Sequence, residues 1–391
     1  MPAPEQTAYI LAGATATGKS ATAQCLAEQL GSPILSADAM LVYQGMDIGT
    51  AKPTLRERGG VPYSGLDLVS PADPFSTGRW LDAAREALDS FRCQGSGFRV
   101  QENLCRELCR SSELCASAPL REEPHTMEGH APLWPDATER VPPVLESTQK
   151  FTHSFIPIDS LPTATADCHC IPVVVGGTGL YIKALTDGIE SSESSPELRY
   201  KWQTVFEQEG LPGLQAALRV RAPDTLKDLS DTTNPRRLLR ALEQLDTDGK
   251  TPQHWKTDGI EKTPIIVLTL PREQLHKRIA RRVDQMFSTG LLEEVQALRK
   301  TYPVWSMTAQ KAIGYAEACA ILDNKLSHEV AREQIIIRTR QLAKRQETWF
   351  RHQVKAHWLS ITEKETPETI AQRVLDLWRT YGPTRIRIPG E

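Results

Sequence analysis

Apolar residues first gather from Ala8 to Ala12, an uninterrupted run that gives way to a glycine-rich turn. Good helix formers then run from Ser20 to Leu30 and stop at Gly31. This pattern predicts strand, loop, helix. Pro33 to Ser36 predicts a second strand ending at Asp38, and Ile171 to Val175 a β-branched strand stopped by Gly176 and Gly177. Ile265 to Leu270 predicts a further one. Strands apolar on both faces belong to a parallel sheet covered on each side. Pro271 stands at a helix start, and the run from Gln274 to Phe287 carries Ile279, Val283 and Met286 as an apolar stripe. A long helix is predicted from Glu329 to His352. There Ile335, Leu342 and Trp349 recur every seven residues while Arg338, Arg340, Lys344, Arg345 and Arg351 take other faces. Pro367 to Tyr381 predicts a last amphipathic helix, and residues 382–391 a tail.

Two stretches break this rhythm. Residues 194–262 are helical, polar and punctuated by prolines, which predicts a small helical domain inserted between sheet strands. Residues 92–169 are rich in Pro, Ser, Glu and Cys with no sustained period. They hold too few clustered apolar residues to offset ordering entropy, so a disordered insertion is expected. The expected division is a P-loop core over 1–91 and 170–193, the insertion at 92–169, and the helical domain at 194–262. The core resumes over 263–360, and a C-terminal helix and tail occupy 361–391.

The chain has 391 residues, 40% hydrophobic and 24% charged, a globular balance long enough for more than one folding unit. Neither a leader-like N-terminus nor about 18 consecutive apolar residues is present, so a cytoplasmic protein without a membrane span is expected. A net charge of -3 does not by itself announce nucleic acid, so any such partner must rest on local basic clusters. Six of the eight cysteines, Cys93, Cys105, Cys109, Cys115, Cys168 and Cys170, crowd one segment without a Cys-x-x-Cys pair. Reduced thiols are expected, and zinc binding by this group with His130 and His169 is disfavoured.

The run Gly13, Ala14, Thr15, Ala16, Thr17, Gly18, Lys19, Ser20 satisfies the Walker A pattern between a predicted strand and a predicted helix. Its glycines let backbone N–H groups converge on phosphate oxygens, and the helix N-terminus adds positive potential. Lys19 is expected on terminal phosphates and Ser20 on Mg²⁺, directly or through water. A P-loop alone leaves kinase, NTPase and other phosphate chemistry open. Asp38 follows the second strand at its carboxyl end, where open α/β sheets bind ligands.

The block from Ser36 to Pro53 resembles the signature of the tRNA dimethylallyltransferases, the tRNA isopentenyltransferase family of bacterial type. Gly176 to Tyr181, Arg240 to Glu243, Arg278 to Met286, Ile313 to Tyr315 and Thr339 to Arg351 resemble further family blocks, in order. The resemblance spans nearly everything outside 92–169. It implies an α/β, P-loop NTPase-like parallel sheet flanked by helices, with an inserted all-helical domain.

It also implies transfer of a dimethylallyl group from its diphosphate to N6 of an adenine beside a tRNA anticodon. The P-loop would then hold the departing diphosphate rather than ATP, with Mg²⁺ as cofactor. Asp38 matches the family's base, Thr178 its Gly-Gly-Thr hydroxyl, and Arg282 a cation on the diphosphate; Thr15 and Thr17 would line the pocket. The tRNA anticodon stem-loop would meet Asp38, Ala39, Met40, Leu41, Thr178, Arg199, Arg236, Arg237, Leu238, Leu239 and Arg240. A monomer is expected.

Simpler roles stand beside these. Asp38 could cap a helix or bind Mg²⁺ through water, and Arg278 and Arg282, one turn apart, could be solvated charges. The basic face of the 329–352 helix is an ambiguous RNA contact. The tryptophans, Trp80, Trp202, Trp255, Trp305 and Trp358, read as packing residues rather than base platforms. The sequence departs from the family pattern at Ala39, where serine is usual, at Tyr63-Ser64 in place of His-His, and at residues 231–234. The alternatives are a P-loop kinase of a small metabolite, a prenyltransferase of free adenine nucleotides, and an inactive RNA-binding relative.

Overall fold

In the computed structural model, residues 6–93, 171–188, 195–229, 231–249 and 264–387 are described. Residues 94–170 lie outside them, and with them the expectations for the Cys-rich insertion, including Cys105, Cys109, Cys115, His130, Cys168, His169 and Cys170. Trp255 lies outside as well.

The strands are β1 (Gln6–Gly13), β2 (Ile34–Ser36), β3 (Tyr63–Ser64), β4 (Val173–Gly176), β5 (Ile266–Thr269), β6 (His357–Ser360) and β7 (Thr384–Ile386). They form one sheet in the order β3-β2-β4-β1-β5-β6, parallel throughout, with β7 antiparallel on β1. The longer helices are α1 (Lys19–Leu30), α2 (Thr77–Cys93), α3 (Gly179–Asp187), α4 (Pro196–Arg221), α5 (Pro235–Asp248), α6 (Arg272–Ser288), α7 (Leu291–Thr301), α8 (Tyr315–Leu322), α9 (His328–Gln353) and α10 (Pro367–Tyr381). This is the expected P-loop NTPase-like α/β arrangement.

Strand alternation explains why the apolar runs are uninterrupted. In β1, Ala8, Ile10 and Ala12 enter one core layer while Tyr9 and Leu11 enter the other. On the first face lie Trp80, Leu81 and Ala84 of α2 with Ile182 and Leu185 of α3. On the second lie Leu26 of α1, Ile279 and Val283 of α6, and Val374 and Trp378 of α10. Trp378 stacks on Tyr9 at 4.7 Å between ring centroids.

The C-terminal segment differs from the expected helix and tail. Its helix is built into the second core layer, and β7 extends the sheet through Thr384–Ile386. Three residues flanked by Pro and Arg are too short to announce a strand. In α9 the buried positions are Ala331, Ile335, Ile336, Ala343 and Phe350. Ile335 of the predicted 335, 342, 349 stripe is thus buried, but Leu342 and Trp349 are only half-buried, and the seam passes on to Ile336, Ala343 and Phe350. Trp349 instead lies over the start of α3, where a Cβ on Gly179 would come within 2.0 Å of its ring.

Helices α4 and α5 build a small unit with its own cluster of Trp202, Leu214, Leu218, Leu238, Ala241 and Leu242. Ser195 caps α4 at the Glu197 N–H, 3.2 Å, and Asn234 caps α5 at the Arg236 N–H, 3.1 Å, each followed by Pro at the first helical position. A kink at Gly210, in left-handed backbone at φ 66°, precedes Pro212 within α4. Asp246 gathers Lys201 at 2.9 Å, the Trp202 indole N–H at 2.9 Å, and Arg221.

Candidate active site

Three strand ends meet at one cleft. β1 ends in the P-loop, β2 in Asp38 and β4 in the Gly-Gly-Thr turn, all at the carboxyl edge of the sheet. The β2 and β4 ends touch through backbone. Ala37 N–H donates to the Val175 carbonyl at 2.7 Å, and Thr178 N–H to the Ala37 carbonyl at 3.2 Å. A Cβ on Gly176 would lie 2.1 Å from the Ala37 carbonyl oxygen, so this approach requires glycine.

The cleft encloses about 550 Å³ out to open solvent and is lined by Thr15, Lys19, Ser20, Asp38, Thr50 and Arg282, with Ser36, Leu41, Tyr63 and Gly176 among its other walls. Gly18 caps α1 in left-handed backbone at φ 89°, which aims the first turn of the helix at the cleft. Lys19 folds back so that Nζ donates to the Ala14 carbonyl at 3.2 Å. Burial pulls its ammonium down to about 8; Asp38 opposes that shift and Arg282 adds to it. Burial also lowers the Arg282 guanidinium, again opposed by Asp38. Arg282 Nη1 donates to the Thr15 hydroxyl at 3.1 Å and Nη2 to the Thr50 carbonyl at 2.8 Å. One carboxylate and two buried cations therefore line the same cleft, close enough for Asp38 to act on both charges.

The remaining expected residues sort by position. Asp38 Oδ1 accepts from the Met40 N–H at 3.0 Å, and the Thr178 hydroxyl accepts from the Ala39 N–H at 2.9 Å, so Thr178 fixes the turn that carries Asp38. Leu41 lines the cleft. Gly13 and Ala14 are buried at the strand end and Ala16 is half-buried. Thr17 does not line the cleft as expected. It is fully buried, with its hydroxyl turned inward to the Ala14 carbonyl at 2.8 Å, because it closes the loop on itself. Arg278 reaches the Thr17 carbonyl at 3.5 Å at the rim.

On the helical unit, Arg236 and Arg237 are exposed. Arg199 and Arg240 share the buried Glu243, at 3.2 and 3.6 Å. Leu238 is fully buried, four residues before Leu242 on the apolar face of α5, and so offers no surface to a partner; Leu239 is half-buried. At the departures from the family pattern, Tyr63 donates to Gln24 Oε1 at 2.8 Å and its phenol is pushed up to about 12, mainly by burial. Asp231 accepts from the Thr233 N–H at 2.9 Å, forming the turn that leads into the Asn234 cap.

Several residues that shape the site carry no local signal. Gln346 of α9 accepts from the Thr15 N–H at 2.8 Å and donates to the Gly177 carbonyl at 2.9 Å, which joins the P-loop to the Gly-Gly-Thr turn. Thr50, Glu243 and Gln346 all sit in the blocks that carry the resemblance, which was the only pointer to them.

The donor set fits a magnesium ion. The exposed Ser20 hydroxyl and the Asp38 carboxylate line one cleft, and Ser36 Oγ in its wall is buried without a hydrogen-bond partner among the described residues. All are hard oxygens. Magnesium takes such oxygens readily and completes its octahedron with phosphate oxygens and water. No helix of the described residues is long and apolar enough to cross a membrane.

Fold and site together define an α/β protein whose P-loop shares one cleft with the Asp38 carboxylate and the Arg282 guanidinium. Comparison with known proteins narrows this. The family model "IPP transferase" matches residues 41–97 and 159–353, and "Isopentenyl transferase" matches 6–61. The chain is 33% identical over 364 residues to a tRNA dimethylallyltransferase of Bacillus velezensis, covering 92% of each chain. It is 30% identical to one of Streptomyces coelicolor, covering 92% of this chain and 91% of the relative. The solved full-length tRNA isopentenylpyrophosphate transferase of Bacillus halodurans superposes with a TM-score of 0.56 at 25% identity, covering 96% and 97% of the two chains. This chain belongs to the IPP transferase family.

Proposed function

We propose that this protein is a tRNA dimethylallyltransferase. In this reading it moves the dimethylallyl group of dimethylallyl diphosphate to N6 of the adenine at position 37, next to the anticodon, in tRNAs reading codons that begin with U. Diphosphate is released. The observation that carries the reading is that Lys19, Arg282 and Asp38 line one and the same cleft.

In the reaction, the bond between the allylic carbon and the diphosphate oxygen breaks as a bond from N6 to that carbon forms. P-loop amides, Lys19 and Arg282 take up the negative charge that develops on the leaving oxygen. Mg²⁺, when bound, adds charge neutralisation on the diphosphate, with Ser20 as its protein ligand. An exocyclic amine is a weak nucleophile, and Asp38 accepts its proton as the new bond forms. Thr178 holds Ala39 and so the turn on which Asp38 rides. The adenine must leave its stack to reach the cleft, which an anticodon loop permits at lower cost than a duplex.

The exposed Arg236 and Arg237 on the small helical unit favour RNA over a free nucleotide, because a free nucleotide needs no second basic surface. Arg199, Arg240 and the backbone around Asp38, Ala39, Met40 and Leu41 would complete the contact with the anticodon stem-loop. The helical domain expected at 194–262, of which 195–229 and 231–249 are described, would then contact tRNA. The test is incubation of the purified chain with labelled dimethylallyl diphosphate, Mg²⁺ and unmodified tRNA, then digestion to nucleosides. Label in N6-dimethylallyladenosine supports the reading; transfer of the γ-phosphate of ATP to a small acceptor defeats it.

A further inference from the structure

Tyr315 takes no part in the chemistry above, yet it is tied to the cleft through one loop. Tyr315 opens α8 and is fully buried. Its phenol donates to Glu294 Oε1 at 2.6 Å and accepts from the Gly49 N–H at 3.2 Å. The other carboxylate oxygen, Glu294 Oε2, accepts from the Asp47 N–H at 3.2 Å and the Ile48 N–H at 2.8 Å. Three consecutive backbone donors thus end on one carboxylate–phenol pair.

The geometry leaves this loop little freedom. A Cβ on Gly49 would come within 2.4 Å of the Tyr315 ring, so the ring can lie against the backbone only at a glycine. Lys52, buried, braces the far side by contacts to Asp47 at 2.6 Å and to the Tyr43 carbonyl at 2.7 Å. Burial, then the Glu294 carboxylate, pushes the Tyr315 phenol well above its ordinary range, so it remains a donor throughout the physiological range.

What this loop presents to the cleft is the next carbonyl, that of Thr50, which accepts from Arg282 Nη2 at 2.8 Å. Arg282 Nε is buried and has no partner among the described residues, so the Thr15 hydroxyl and the Thr50 carbonyl set the plane of the guanidinium.

We propose that Glu294 and Tyr315 are positioning residues: they hold the 47–50 loop so that Thr50 aims Arg282 at the diphosphate. The inference rests on the functional reading above in taking Arg282 as a diphosphate ligand. Neither side chain lines the cleft.

The test is a double-mutant cycle read as the affinity for inorganic pyrophosphate with Mg²⁺, measured by titration calorimetry, so that variants without turnover can still be compared. Tyr315→Phe keeps the ring against Gly49 and removes only the hydroxyl; Glu294→Gln serves as a second probe of the same pair. Each is expected to weaken pyrophosphate about tenfold, the effect of one charge-assisted hydrogen bond. In an Arg282→Ala background each is expected to change it less than about twofold, since coupled residues are not additive. A purely structural role would give equal losses in both backgrounds, and that result, or unchanged affinity in Tyr315→Phe and Glu294→Gln, overturns the proposal. A wild-type chain that neither binds pyrophosphate nor transfers the prenyl group overturns instead the functional reading beneath it.

Discussion

The side-chain carbonyl of Gln346 accepts the backbone N–H of Thr15 at 2.8 Å across 331 positions of sequence. Through its Nε2 the same amide donates to Gly177, so one side chain of α9 sets the spacing between the diphosphate cradle and the turn that supports Asp38. Gln346→Ala would leave two partly buried backbone groups without their partner, at a cost of about 1–3 kcal/mol. Urea unfolding should report a loss of that size, and pyrophosphate titration a parallel loss of affinity. Gln346→Glu keeps the acceptor but turns an anionic oxygen on the Gly177 carbonyl and on the diphosphate, so it should weaken pyrophosphate at least as much as Gln346→Ala.

Asp38→Asn retains an acceptor for the Met40 N–H while removing the base. The turnover rate should drop by about 10²–10⁴, the usual contribution of a general base, with pyrophosphate affinity within a few-fold of wild type. Rapid-quench kinetics separates the two. Loss of binding equal to the loss of turnover would assign Asp38 to the phosphates instead.

Lys19 gives the reaction a basic limb. In the unliganded protein its proton is lost near pH 8, against an ordinary value of 10.5. Between those values the unfolded chain holds the extra proton, so this group's contribution to stability rises with pH while phosphate binding weakens. The expected outcome is that kcat/KM for dimethylallyl diphosphate falls above about pH 8, approaching tenfold per unit. Lys19→Arg, which stays charged, should flatten that limb while lowering the plateau.

Glu243 anchors Arg199 and Arg240 of the helical unit from a buried position. Because Arg199 is 69% exposed, Glu243→Gln strands no fully buried charge, and the loss of stability should stay within about 1 kcal/mol for those pairs. The account expects a higher KM for tRNA with kcat nearly unchanged, measured by steady-state kinetics at fixed salt. A fall in kcat at unchanged KM would place the helical unit outside tRNA binding.

How much of this was legible in the chain follows from sequence distance. Gly13 to Ser20, Asp38 and Gly176 to Thr178 announce themselves because strand, turn and helix signals lie within a few residues of each. Gln346, Thr50 and the pair Glu294 and Tyr315 do not, because each acts on a loop hundreds of positions away, or through a backbone atom that no side-chain pattern encodes. Leu238 illustrates the opposite error. It sits among arginines in a basic block, and only the α5 periodicity that pairs it with Leu242 reveals it as core. Of the 335, 342, 349 stripe Ile335 is core, whereas Trp349 is half-buried over Gly179 at the start of α3, a long-range contact that helical periodicity does not encode. β7 carries no sequence signal because three residues are too few to show alternation.

The central claim is that one cleft holds a departing diphosphate on the P-loop and an adenine amine before Asp38. It is tested most directly by counting both products in one sample. Wild-type protein, dimethylallyl diphosphate, Mg²⁺ and unmodified tRNA should yield inorganic pyrophosphate and N6-dimethylallyladenosine in equal amounts, with neither formed when tRNA is omitted. Pyrophosphate released without modified adenosine, or modified adenosine formed as readily from free adenosine monophosphate as from tRNA, would contradict it.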